Sequence, residues 1–543
     1  MSRESPVSRE PIVSRPFMVA RRLVVPALLV ALYALARADR LIGECLWFDE
    51  IFGVHAAAHD WRGLWSFVAA DLIHPPLFYA LLKLWIAAGG ESIPWLELFA
   101  YTTSLLCLVP FLLLARELSL GAAATNVALV VFAVSGYHIK YAQEVRMYAL
   151  LLLLTLTSLW LFARLARRGA TSRRRLLALA LVNLLLVYTH YYGWLVVCAE
   201  AVYLLAGRGR GALKAFLLTA AVAALGFAPW AWACMAAAGE GGGIAENVGW
   251  IERPTYADAL GFYALLHAPF YFRQSSVDAL TGHGSTIMGA LLLSLPALLL
   301  VLRSLTSARR EDDAAAVRFL AFFALFPVAV SFAASHALPH AVWGTRHLIV
   351  TAGPYVLLVG MGVARLRPRW LGAAALAAVL CWYAAAGLMS LVRPRVNFVW
   401  CAWGQLAGET FRREAAAAGV ADIYAFEDLV AYQLWHELRD ARSRFRVHVV
   451  RGVGGLTQDP SFFLPRRFDA VTKTGAAGLS GEQFWVAFRD ASFDETRPPM
   501  SVLGERGYRV VRRHETEAQG QRVFLLLVSR EGTGAAQAAP PAP

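Results

Sequence analysis

Hydrophobic positions in this chain do not alternate with polar ones. They collect into long runs, at roughly residues 23–43, 95–118, 121–138, 147–165, 175–193, 194–207, 212–235, 286–303, 317–336, 346–364 and 370–391. A bilayer core about 30 Å thick takes about 20 apolar residues in helical form, so the runs predict about eleven spanning helices. One more apolar segment, Pro75 to Ala88, follows His74. At about 14 residues it has the length of a re-entrant or interfacial helix. The pattern changes at Pro394. A helical stretch near 400–418, a strand over 422–426, a helix near 427–441 and strands at 445–450, 484–488, 508–513 and 522–529 predict a small α/β domain. The last residues, Gly532 to Pro543, are rich in Gly, Ala and Pro and read as a disordered tail. The chain therefore divides into an N-terminal segment (1–22), a membrane domain (23–393), an external α/β domain (394–531) and a tail (532–543).

Composition agrees. Apolar residues make up 58% of the 543 and charged residues 16%, against about 45–50% and about 25% in soluble domains. The net charge of +13 would suggest an acidic partner such as nucleic acid if it were spread evenly. It is not. From Asn397 onward 18 Lys and Arg face 17 Asp and Glu, so the excess lies in the membrane portion, in short turns such as Arg164 to Arg175 and Arg365 to Arg369. This is the positive-inside pattern, and with no basic and aromatic stripe it excludes nucleic-acid binding. With the N-terminus and the 164–175 turn both cytoplasmic, the number of crossings between them must be even. The segment 75–88 is then a half-helix on the external face, and 44–94, 138–147, 236–285, 337–346 and the C-terminal block lie outside. The first run has no small-residue cleavage site behind it and reads as an uncleaved span. Six scattered cysteines with no C-x-x-C spacing indicate neither a zinc knuckle nor a disulfide framework. The chain also lacks the P-loop and G-x-G-x-x-G patterns, which weighs against an ATP-driven pump or a nucleotide-binding enzyme.

The candidate chemistry falls in the external segments. The first reads Trp47-Phe48-Asp49-Glu50, then Asp71-Leu72-Ile73-His74-Pro75-Pro76. Carboxylates held beside Trp and Phe at a membrane surface are partly desolvated, which raises a carboxyl toward the range of a general base. Asp49 is the leading candidate, with an acidic helix start as the plainer reading. The second segment, Tyr137 to Tyr148, carries His138, Lys140, Gln143, Glu144, Arg146 and Tyr148. That set suits a phosphate or sugar ligand, the cations as charge partners and the tyrosines as stacking surfaces. His190 lies at the outer end of the fifth run, and Arg346-His347 at the outer mouth of the tenth. An arginine there either binds a lipid phosphate or snorkels to the interface. Together the segments favour a site where a lipid phosphate meets a polar substrate.

In order, Trp47-Phe48-Asp49-Glu50, Asp71-x-x-His74-Pro75-Pro76-Leu77-x-Tyr79, Tyr141-x-Gln143-Glu144-x-Arg146-Met147-Tyr148 and Arg346-His347-Leu348 resemble the landmarks of the GT-C class of membrane glycosyltransferases. The branch resembled is that of bacterial relatives of protein O-mannosyltransferases and of aminoarabinose and lipopolysaccharide-core transferases. The resemblance covers roughly residues 20–390. It implies a polyprenyl-phosphate sugar donor, a glycan, lipid or protein acceptor, the lipid bilayer as surroundings and no nucleic acid. It further implies a cytoplasmic-membrane location with the site and C-terminal domain facing the periplasm. In that scheme Asp49 takes the acceptor proton with Glu50 in support, and the sugar moves with inversion. Gln143, Glu144, Arg146 and Tyr148 contact sugar or phosphate, with Asp71, His74, His190 and His347 beside them. Arg346 stabilises the leaving phosphate, with Lys83 as a second candidate. Some relatives hold a divalent metal through a glutamate before the half-helix; Ile73-His74-Pro75 stands there instead, so no metal ligand is assigned and a divalent metal stays open as a cofactor. The alternative reading is a polytopic transporter or lipid flippase of the cell envelope, against which stand the absence of an inverted repeat and the scarcity of ionisable residues within the runs.

Overall fold

The computed structural model describes residues 15–38, 41, 45–169, 172–207, 210–239, 249, 251–269, 284–306, 311–392, 398–456 and 464–530. The N-terminal residues before Arg15, about half of the predicted external segment 236–285 and the predicted tail lie outside them. The first helix, α1, is Arg15–Ala38. The segment predicted as the first external one is itself helical: α2 (Phe48–Ala58), α3 (Trp61–Asp71) and α4 (Leu77–Gly89). The 13-residue α4 is the short apolar helix expected behind His74. It turns back on α5 (Ile93–Leu106) through Gly90, whose φ of 86° is a left-handed conformation a side chain would strain. Trp85 and Trp95 close that turn, stacked at 4.6 Å with each indole N–H on the other's carbonyl at 2.7 and 2.9 Å.

The bundle continues through α6 (Leu108–Glu117), α7 (Ala122–Val134), α8 (Gly136–Gln143), α9 (Tyr148–Arg168), α10 (Arg173–Thr189), α11 (Tyr192–Ala206), α12 (Arg210–Gly239), α13 (Tyr256–Leu266), α14 (Gly284–Thr306), α15 (Glu311–Ala337), α16 (Ile349–Ala364) and α17 (Arg369–Val392). Among the described residues five stretches are long and apolar enough to cross a membrane: Ile93–Glu117, Tyr148–Arg168, Ala212–Gly239, Asp313–Ala337 and Arg369–Met389. Six shorter apolar helices lie among them. Helices α12 and α17 turn Leu218, Leu225, Trp232, Trp370 and Leu388 outward, an apolar exterior suited to lipid. The run predicted over 121–138 stops earlier than its hydropathy suggests. Ser135 leaves the helical conformation, Gly136 donates its N–H to the Ala268 carbonyl at 2.7 Å, and the polar residues expected in a loop form the buried helix α8.

Among the polar groups that join helices inside the bundle, two sets show how burial is compensated. Arg37 is fully buried at the end of α1 and gives its guanidinium to the Phe132 and Ala133 carbonyls at 2.9 and 3.0 Å, which the last turn of α7 leaves over, and to Ser104 Oγ at 3.1 Å. Deeper, Ser158 of α9, Asn183 of α10 and Glu200 of α11 form a closed ring: Ser158 Oγ lies 2.5 Å from Asn183 Oδ1 and 2.7 Å from Glu200 Oε1, and Asn183 Nδ2 donates to Glu200 Oε2 at 3.0 Å. A hydroxyl has one proton to give and the amide oxygen can only accept, so the ring closes when the Glu200 carboxyl supplies the third. A glutamine offers the same donor and acceptor. Glu200→Gln is therefore expected to keep the wild-type thermal midpoint in detergent, while Glu200→Leu, which strands two buried polar groups, costs about 1–3 kcal/mol for each; equal midpoints for both variants would refute the ring.

After α17 the chain forms the α/β domain: α18 (Cys401–Leu406), α19 (Glu409–Ala418), β1 (Asp422–Ala425), α20 (Asp428–Glu437), β2 (Arg446–Arg451), β3 (Thr472–Gly475), β4 (Gln483–Asp490), α21 (Met500–Gly504), β5 (Tyr508–Ala518) and β6 (Gln521–Arg530). The sheet order is β3-β2-β1-β4-β6-β5, parallel from β3 to β4 and antiparallel beyond. Strand β3 reads Thr-Lys-Thr-Gly, too short and polar for a pattern to show it. The helix expected over 400–418 is broken at Gly408, between α18 and α19. This domain is tied to the segment that leads into and forms α2. Cys45 and Cys401 form a disulfide, correcting the reading that the cysteines form no bridge: partners 356 residues apart leave no spacing signal. Gln433 donates to the Leu46 carbonyl at 2.9 Å, and Tyr432 shares a 2.8 Å hydrogen bond with His55.

Candidate active site

Helix α2 opens on two carboxylates with different duties. Glu50 is fully buried and accepts two backbone N–H groups, that of Trp47 at 3.0 Å and that of Val145 at 2.7 Å. The first bond caps α2 from within; the second ties α2 to the chain just beyond α8. Asp49, one residue earlier, is partly exposed and faces two guanidiniums. Arg346 Nη1 lies 3.0 Å from Asp49 Oδ2, and Arg146 Nη2 lies 3.7 Å from the same oxygen while its Nη1 donates to the Asp49 carbonyl at 2.9 Å. Arg146 follows the end of α8, and Arg346 precedes α16 in a turn that Tyr137 of α8 holds through a 2.7 Å bond to the Thr345 carbonyl. Gln143 Nε2 donates to the Arg37 carbonyl at 3.0 Å, so the buried arginine of α1 fixes the end of α8 as well. Glu144 is buried where α8 ends, its carbonyl accepting the Arg146 N–H at 2.7 Å. The Asp49–Arg pairing and its supports thus draw on four separate segments, which explains why no local pattern displays it.

Asp71 ends α3, and the chain reverses beyond it through Leu72 at φ 63°. Burial, with the Asp49 charge adding to it and Arg146 opposing, pushes the Asp71 carboxyl up to about 7. The desolvation expected of a carboxylate here therefore acts on Asp71, while Asp49 is the shared partner of two cations. The sign of the consequence is fixed. Between about pH 4 and pH 7 folded Asp71 holds a proton that the unfolded chain has released, so stability falls as pH rises through that window. Asp71→Asn is expected to flatten that decline in thermal midpoints; an unchanged slope would remove Asp71 as its cause.

Three histidines complete the site. His74 stands before the prolines that start α4, His190 ends α10 and His347 precedes α16. The His190 ring lies 5.3 Å from that of His74 and 4.7 Å from that of His347, with Tyr148 packed 6.3 Å from His347. Burial first, and then the charges of Arg146 and Arg346, hold all three imidazoles uncharged at neutral pH. One ring nitrogen from each lies within 4.8 Å of the other two, a set with the composition of a metal site. Its hydrogen bonding does not fit a resident dication. His190 Nδ1 accepts the Tyr192 N–H at 3.1 Å, so in the neutral ring Nε2 carries the proton and has no lone pair to give. A dication would also sit beside two guanidiniums.

Lys83 is not part of this cluster. Its ammonium donates to the Ala57 and His59 carbonyls at 3.0 and 2.5 Å and so caps the far end of α2, about 12–15 Å along the helix from Asp49. The structure also shows contributors that the sequence did not single out: Arg37, and from the C-terminal domain Tyr432 and Gln433. Tyr432 packs 5.2 Å from Phe48, beside Asp49. No local pattern distinguishes these residues from ordinary core and surface positions.

No family model and no curated protein matches the chain. Solved structures do. The chain is similar to ArnT from Cupriavidus metallidurans bound to undecaprenyl phosphate, at 12% identity over 97% of this chain and 100% of that one, with a TM-score of 0.47. It is similar to the same protein in the apo state at 13% identity, over 94% and 98% of the two chains, with a TM-score of 0.45. The archaeal oligosaccharyltransferase AglB from Archaeoglobus fulgidus, in complex with an inhibitory peptide and a dolichol-phosphate, is similar at 14% identity over 77% of this chain, with a TM-score of 0.44; the match spans 64% of AglB.

Proposed function

We propose that this chain is a membrane glycosyltransferase that moves a sugar from a polyprenyl-phosphate donor to an acceptor hydroxyl at the outer face of the cytoplasmic membrane. The observation that carries the reading is Asp49 between two guanidiniums at the end of an apolar bundle, its Oδ2 3.0 Å from Arg346 and 3.7 Å from Arg146. In the proposed step the acceptor O–H gives its proton to the Asp49 carboxylate while its oxygen bonds to the anomeric carbon. The bond from that carbon to the phosphate oxygen breaks, its electron pair stays on the phosphate, and the configuration inverts. A guanidinium has five N–H donors. Arg346 therefore has donors beyond the one on Asp49 with which to meet the leaving phosphate, where fixed positive charge lowers the barrier. Glu50 holds the frame rather than the proton, since both its oxygens accept backbone N–H groups.

The reading is tested by incubating purified protein with a panel of polyprenyl-phosphate sugars and a crude acceptor extract, and measuring free polyprenyl phosphate. Release that needs both protein and extract is the expected result; sugar movement across vesicles without release would place the chain with the transporters. The outward orientation is supported by the Cys45–Cys401 disulfide, since such bonds persist in oxidising compartments. Non-reducing peptide mapping of protein alkylated in intact cells is expected to recover the Cys45 and Cys401 peptides joined; both peptides alkylated singly would reverse the orientation.

A further inference from the structure

Three ring nitrogens in the site, His74 Nε2, His190 Nε2 and His347 Nδ1, are buried and have no hydrogen-bond partner among the described residues. Leaving a buried polar group unpaired costs about 1–3 kcal/mol. The three rings converge, one nitrogen of each within 4.8 Å of the other two, and unpartnered nitrogens on converging rings mark a place where a ligand completes the set. No local requirement gathers them, because they come from the start of α4, the end of α10 and the turn before α16. The backbone decides what they offer. With Nδ1 engaged by the Tyr192 N–H, His190 presents Nε2 as a donor. The other two rings each have one proton to place and no partner that dictates where, and Arg146 and Arg346, neither of which can accept a hydrogen bond, lie nearby. A group that satisfies an array composed of donors is an oxyanion.

We propose that His74, His190 and His347 form a metal-free cradle of imidazole N–H donors that holds a phosphate oxygen of the lipid carrier. This rests on the functional reading above and deepens it: the cradle fixes the phosphate and orients it, leaving the guanidiniums to take up charge as the sugar departs. The same chemistry serves a free phosphate, and the experiment separates the two sources.

The test uses the full chain in dodecyl maltoside micelles, which contain no phosphate, with farnesyl phosphate, inorganic phosphate and zinc chloride titrated separately by calorimetry. Farnesyl phosphate is expected to bind with a Kd unaffected by EDTA. His74→Ala and His190→Ala are each expected to raise that Kd about tenfold, whereas His74→Gln, which keeps an N–H donor and discards the imidazole, stays within about threefold. Parallel losses for inorganic phosphate would support a cradle that reads phosphate itself; His-dependent binding of farnesyl phosphate alone would support one that reads it on the lipid. One equivalent of zinc retained through gel filtration and lost in His74→Gln would overturn the proposal in favour of a metal centre. So would farnesyl phosphate affinity indifferent to all three variants. Only variants with the wild-type thermal midpoint are compared, and the His74→Gln and His74→Ala pair decides if His190→Ala fails to fold. Phosphate binding through these histidines without any sugar transfer would defeat the functional reading alone; transfer by a protein whose phosphate affinity ignores them would defeat the cradle alone.

Discussion

Asp49→Asn is expected to lower sugar transfer by about 10²–10⁴-fold, the range that a positioned general base supplies. The substitution preserves shape. An asparagine oxygen still accepts from Arg346 Nη1, at 3.0 Å in the wild type, and the Asp49 carbonyl still receives Arg146. What is lost is a carboxylate able to take a proton and to offset two guanidiniums. Arg346, no longer neutralised, is free to hold phosphate at least as firmly, so donor affinity is expected to hold while turnover falls. The measurement is release of polyprenyl phosphate as a function of donor concentration, which separates KM from kcat. Asp71→Asn serves as the comparison, since Asp71 is the other carboxyl of the site and burial places it near neutrality. If Asp49→Asn turns over normally and Asp71→Asn does not, the proton goes to Asp71, and the cationic pair around Asp49 is scaffold.

Glu50→Ala is expected to be the most damaging single change to the fold around α2 and α8. It removes the acceptor for two backbone donors at once, Trp47 N–H at the start of α2 and Val145 N–H beyond α8. Glu50 and Val145 are fully buried. At about 1–3 kcal/mol for each stranded donor, the loss amounts to a large share of the stability of an ordinary domain. Glu50→Gln is expected to fall between, because its amide retains one acceptor oxygen and turns an NH2 group toward the other donor. This contrasts with Glu200→Gln, where the third partner is a hydroxyl able to accept. Thermal midpoints order the variants as wild type, Glu50→Gln, Glu50→Ala; a Glu50→Ala protein with the wild-type midpoint would show that the clasp carries no load.

How much of this was legible in the sequence depended on the range of the interaction. The helices of the bundle, the short apolar α4 and the strands β1, β2, β4 and β6 announce themselves because burial imposes a period or a run on adjacent residues. Boundaries were less secure where a polar partner overrode hydropathy, as at Ser135, where the Gly136 bond to Ala268 redirects the chain. Residue type alone also nominated Asp49, Arg146, His190 and Arg346, since carboxylates, cations and imidazoles at the mouths of apolar runs are expensive unless they have a task. The resemblance adds Lys83 as a second candidate beside Arg346 for the leaving phosphate, and in the folded chain that ammonium caps α2.

The tertiary structure decided the relations among these groups. Glu50 and Asp49 are neighbours of the same chemistry, yet one lies against two amide hydrogens and the other against two guanidiniums, and only the approach of α8 and of the turn before α16 makes that difference. The disulfide joins residues 356 positions apart, and the Arg37 clamp on α7 joins residues 95 and 96 apart. A sequence records such contacts only as two unrelated letters. What the chain determines by itself is where it enters and leaves an apolar medium, because that depends on the summed transfer energy of consecutive residues. Which polar groups then share a proton or a charge depends on distances of a few ångströms between segments, and packing alone sets those.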